Sequence, residues 1–184
     1  MALRVKSHWH NEDSERSMQE IGGAIAFNAW RLALETTKSL NTEQFIFEND
    51  QQRLDVISEY LIFIIQLTDR LTHKMVNEEQ RQALIGAIVL KSSEHLQDNS
   101  QDAFGEGDYQ SPFVALFNHR GGEYAEFKLT SEGPSYPFIR HLGFCVQQIM
   151  NVADENRWVI DQVMDIDAPK IYRQIRTIIY NLFD

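Results

Sequence analysis

A chain of 184 residues is long enough for one sizeable hydrophobic core and short for two. Its 43% hydrophobic and 24% charged residues are ordinary for a globular domain, which excludes a wholly disordered, collagen-like or disulfide-scaffold chain. The 17 Lys and Arg against 27 Asp and Glu leave a formal charge of −10, which repels phosphates and argues against nucleic acid as a partner.

Nine Gly and four Pro fall well below their usual combined share of about 12%, so the chain makes few turns. Residues 1–13, with His8, Trp9 and His10, show no sustained periodicity and read as a flexible arm ahead of a single helical domain over 14–184. That stretch lacks the apolar run of a secretory signal, and Cys145 is the chain's one cysteine. The expected compartment is therefore the cytoplasm. The most apolar run, Tyr60 to Ile65 followed by Leu67, is far shorter than the ~20 residues that cross a bilayer, so it reads as a buried helix and no transmembrane segment is expected.

Met18, Ile21, Ile25, Ala29 and Leu32 recur at spacings of three and four, the mark of a first helix ending near Ser39. Phe27, Trp30 and Leu34 lie roughly opposite that stripe. A helix with two apolar faces is either sandwiched in its own domain or offers one face to a partner, so these three residues form a candidate interface with another protein or a second copy. Asn49 caps a second helix running to about Lys74, apolar over more than half its circumference and therefore central. Asn77 with Gln80 forms a capping box for a third helix to about Gln97, antiparallel to the second because the link is short. Residues 98–110, rich in Gly, Asp, Asn and Ser, read as a surface loop.

The next segment supports two readings. Ser111 before Pro112 suits an N-cap followed by the first helical position, and Phe113, Leu116, Phe117, Tyr124 and Phe127 share a helical face. Gly121 and Gly122 instead suit a hairpin turn between apolar runs. Residues 133–137 make a stop, and Phe138, Leu142, Cys145 and Ile149 mark a helix to about Val152. Trp158, Val159 and Val163 suggest a short helix before Asp165, and Asp167 with Pro169 launches a last one through Ile171, Ile175, Ile178 and Leu182. The expectation is all-α: a single-domain bundle of about six to seven helices. The alternative is an α-rich fold with one β-hairpin near 113–129.

Motifs for chemistry are sparse. Gly105, Glu106 and Gly107 supply a G-x-G without a third glycine or a preceding strand, and no Walker or G-x-S-x-G pattern occurs. Cys145 sits four residues after His141, a spacing that could activate a thiol, but it falls within an apolar stripe where a thiol is inert. Helical bundles can hold a divalent metal on inward acids and histidines. Glu-x-x-His is absent, which leaves Asp69 with His73 and His119 with Glu123, the latter row continued by Glu126, as candidate ligands; His8 and His10 form a weaker pair. Asp55, Glu59, Gln66, Asp69, Arg70 and His73 lie within about 100° on the second helix. Facing water, this stripe is a solvated face; covered, it marks a site. Lys170, Arg173 and Arg176 give the last helix a modest basic row, most simply solvated. The chain is thus read as a non-enzymatic helical protein-interaction or regulatory module, self-associating or binding another protein, with no cofactor. The alternative is a metal-dependent or small-ligand-binding bundle around Asp69, His73, His119 and Glu123.

Overall fold

The computed structural model describes residues 16–42, 45–150 and 154–184; the N-terminal arm and the end of the fifth helix at Val152 lie outside them. Helices α1 (Met18–Thr42), α2 (Asp50–Thr72), α3 (Glu78–Phe104), α4 (Gln110–Tyr124), α5 (Tyr136–Met150), α6 (Val159–Gln162) and α7 (Ala168–Phe183) form an all-α bundle. Among the described residues the extended pairing is a single isolated bridge between Leu129 and Pro134. No described helix is long and apolar enough to cross a membrane.

Helix α2 is the axis. Tyr60, Leu61, Ile62, Phe63, Ile64 and Ile65 are all fully buried, and six consecutive inward residues require neighbours on every side of a helix. Those neighbours are α1, α3, α4, α5 and α7. The Asn49 cap forms, its side chain accepting from the Gln52 amide at 2.8 Å. So does the Asn77–Gln80 capping box. Helices α1 and α3 run parallel, with Gly22 tucked under Ala87 and the backbone of Leu84 so closely that a Cβ would lie 2.7 Å from the Ala87 methyl.

Three boundaries differ from the expectations. The loop expected at 98–110 is mostly helix, because α3 continues to Phe104 with Leu96 and Ser100 turned inward and the polar residues outward. It stops at Gly105, whose φ of 88° suits a residue without a Cβ. Gln97 then holds the reversal, donating to the Gly107 carbonyl at 2.7 Å and accepting from the Tyr109 amide at 2.7 Å. The Ser111 cap is displaced, since α4 begins at Gln110 and the Asp108 carboxylate accepts from the Ser111 amide at 3.0 Å. The final two helices are one rod joined by a π turn, Val163–Asp167, in which the Ala168 amide reaches back to Val163. That turn carries Asp167 into the core, where the buried Tyr60 hydroxyl donates to it at 2.7 Å.

The segment read as helix or hairpin is helical through both Gly121 and Gly122. A Cβ at Gly122 would meet nothing within 4 Å, so this glycine adds unfolded-state entropy without a compensating contact. Gly122→Ala is expected to stabilise the fold by about 0.5–1 kcal/mol, read as a raised urea midpoint at unchanged m-value.

Candidate functional site

The polar stripe of α2 is covered at its centre, which corrects the solvated-face reading there: the Glu59 side chain is 2% exposed and Gln66 is buried, while Asp55, Asp69 and Arg70 are half-buried and His73, at the helix end, is exposed. A buried carboxylate needs a charged partner or a bound ion. Here the partner is Arg120 of α4. Its Nη2 donates to Glu59 Oε1 at 2.7 Å, and its Nε is shared between the two carboxylate oxygens at 3.0 and 3.1 Å. The remaining Nη1 donates to Glu123 Oε2 at 2.8 Å. Sequence reasoning missed Arg120, yet a signal existed: it falls in the same three-and-four register as Phe113, Phe117 and Tyr124, and a cation inside an apolar stripe is buried with a partner.

Glu123 gathers a second layer, with His141 Nε2 at 3.2 Å and His119 Nε2 at 3.5 Å. Burial works to raise the Glu123 carboxyl, but the Arg120 hydrogen bond and charge outweigh it and hold it below its ordinary 4.5. Burial likewise opposes the Arg120 charge, and the bonds to Glu59 and Glu123 more than compensate, pushing its pKa upward. Cys145 lies beneath, Sγ 3.6 Å from His141 Nε2. Burial, assisted by the Glu59 charge, pushes this thiol up to about 12, so at neutral pH it is protonated and a poor nucleophile. The Tyr124 ring packs edge-on against His141, centroids 4.7 Å apart, and its buried hydroxyl makes no hydrogen bond among the described residues.

The four candidate metal ligands fall into two separate pairings. Asp69 accepts from Arg81 of α3, whereas His119, with a side chain 68% exposed, pairs with Glu123. Among the described residues no three His, Cys, Asp or Glu side chains form a group able to hold a metal ion. The two acids at the contact of α2 with α4, Glu59 and Glu123, are bound by the Arg120 guanidinium instead.

Asp69 and His73 open onto a different feature, a cleft of about 830 Å³ between the end of α2, the turn after α4 and α7. Lys74 enters it from α2's side, Lys128 from the turn and Arg176 from α7. Arg70 lines it too, donating to the carbonyls of Gln66, Tyr124 and Phe127 at 2.9, 2.6 and 3.0 Å, with its guanidinium 4.9 Å from the centre of the Phe138 ring. The turn is fixed: Thr130 and Gly133 exchange backbone hydrogen bonds at 2.8 and 3.3 Å, and the Ser135 amide donates to the Lys128 carbonyl at 3.0 Å. Gly133, at φ 137°, lies so close to Tyr172 that a Cβ would sit 3.1 Å from the ring. Of the basic row on α7, Arg176 faces this cleft, while Lys170 and Arg173 do not line it.

Comparison with known proteins returned no matching family model, no matching curated protein and no matching solved structure.

Removing Arg120 while Glu59 stays buried is expected to cost roughly 3–5 kcal/mol, and the double substitution Glu59→Leu with Arg120→Leu to recover most of it, because two apolar groups leave no orphan charge. Urea unfolding of both single variants and the double variant checks this. The depressed Glu123 carboxyl contributes stability that is complete above its unfolded pKa and lost as pH falls through the lower folded value. The native chain should therefore lose more stability than Glu123→Gln on acidification from about pH 6 to about pH 3, as measured by urea midpoints at each pH.

Proposed function

We propose that this chain is a non-enzymatic helical binding module of the regulatory kind, and that its ligand is a small molecule entering the α2–α7 cleft. The observation that carries this reading is the cleft's charge: Lys74, Lys128 and Arg176 converge from separate elements and, among the described residues, are in no ion pair. A chain of net charge −10 has acids to spare, so cations in a concavity without a carboxylate partner, Arg176 resting over the Tyr180 ring, support a role in binding rather than in holding the fold. Catalysis is the weaker reading because the reactive groups are spent, with Cys145 a buried thiol and Glu59 occupied by Arg120. A reducing cytoplasmic setting fits the single buried thiol.

A protein-interaction face on α1 is the second reading, favoured by Phe27, which is 59% exposed. Its other two members serve the chain itself, since Trp30 packs on His95 at 5.8 Å and Leu34 packs on the core. Titration of the ¹⁵N-labelled chain with a panel of charged and neutral aromatic fragments should move amides at 128–131 and along α7. A panel that leaves those amides unmoved overturns the cleft reading. Phe27→Ser tests the other face by sedimentation: an unchanged mass is expected, and a fall from dimer to monomer would transfer the proposal to α1.

A further inference from the structure

We infer that the cleft selects a phosphomonoester carrying a flat apolar group, an inference that rests on the binding reading above and adds the ligand's chemical class. The phosphoryl preference follows from the arrangement of charge. Arg70 satisfies its donors with neutral carbonyls, and the neighbouring Asp69 acts on its charge without a hydrogen bond to it. Lys74, Lys128 and Arg176 line the same cleft. Asp69 is the one acid in the lining, and it is engaged by Arg81 of α3. The result is a locally positive basin in a strongly acidic chain.

A carboxylate brings one charge and two oxygens to such a basin. A phosphomonoester brings about −1.5 to −2 at neutral pH with three strong acceptor oxygens, enough to meet cations arriving from three directions at once. The Ser131, Tyr172 and Tyr180 hydroxyls make no hydrogen bond among the described residues, which leaves them able to donate to the same oxygens. The apolar half of the ligand follows from size and lining. About 830 Å³ far exceeds a bare phosphate, and the remaining wall presents Leu71, Phe127, Leu129 and the Tyr172 ring. Attraction of cations to the carbonyl end of α2 accounts for Lys74 and His73. It does not account for Lys128 or Arg176, which belong to other elements. The bonded turn at 130–133 and its close seat on Tyr172 fix the Lys128 backbone before any ligand arrives, which limits the ordering cost of binding.

The test is an NMR titration of the whole chain with phenyl phosphate, benzoate, inorganic phosphate and phenol, matched so that charge and ring vary separately. Phenyl phosphate is expected to bind about tenfold or more tighter than benzoate or inorganic phosphate. Its affinity should fall as salt is raised, and the exposed-site variants Lys128→Ala and Arg176→Ala, checked for folding by their spectra, should each weaken it several-fold. Sedimentation with phosphatidylcholine vesicles, with and without phosphatidylinositol phosphate, separates the sources. Lys128-dependent capture assigns the phosphoryl group to a lipid head, and no capture beside tight phenyl phosphate binding assigns it to a free ester. Benzoate and phenyl phosphate binding equally at 128–131 would overturn the phosphoryl selection and leave the binding reading standing. Perturbation of those residues by none of the probes or fragments would overturn both, and affinity unchanged by Lys128→Ala and Arg176→Ala together would remove the cleft as the site.

Discussion

Enclosing α2 on every side obliges each polar group along it to find its partner on another helix, because an isolated buried charge costs several kcal/mol. The apolar centre of this helix, Tyr60 to Ile65, makes the bundle possible, and Glu59 makes it specific. Only a register that brings Arg120 of α4 opposite Glu59 satisfies both charges. The same logic recurs at Tyr60, whose buried hydroxyl is met by Asp167. At Gln52 the side-chain amide donates to the Ile149 carbonyl at 2.9 Å. Each pairing ties α2 to a different later segment, and together they set the heights of α4, α5 and α7 against one axis.

Asn156 does comparable work at the far end. Fully buried, it donates to the Ile46 and Met150 carbonyls and accepts from the Ile46 amide, all at 2.8 Å, so one side chain fastens the approach to α2 to the end of α5. Backbone groups in irregular segments have no helical partner, and a buried amide side chain substitutes for it. The π turn before α7 has the same origin in local geometry, since the extra residue per turn rotates Asp167 toward Tyr60 without breaking the rod.

The cleft arises where this register runs out. Helix α2 ends at Thr72 while α7 continues past it, and the chain between α4 and α5 folds across the gap as a hydrogen-bonded turn. Charges that would be neutralised inside the bundle stand here in open solvent, where the field of several cations adds at one point. The interior network and the cleft therefore differ in their charged residues: the first joins cations to carboxylates, and the lysines and Arg176 of the second are in no ion pair among the described residues.

The caps at Asn49 and Asn77 and the enclosure of Tyr60 through Ile65 were legible in the sequence because they depend on residues a few positions apart, whose spacing is the helix period itself. The end of α3 was not, since Asp98, Asn99 and Ser100 have the composition of a loop, and what keeps them helical is the inward packing of Leu96 and Ser100 with the reversal fastened by Gln97. Asp69, His73, His119 and Glu123 were visible as pairs four residues apart, but spacing along one helix does not say which pair faces which. Local order thus came from the amino-acid sequence, through periodicity and capping. The tertiary structure decided which charges were consumed in the interior and which stood free, because a residue's electrostatic partner is set by the packing of distant helices and not by its neighbours along the chain.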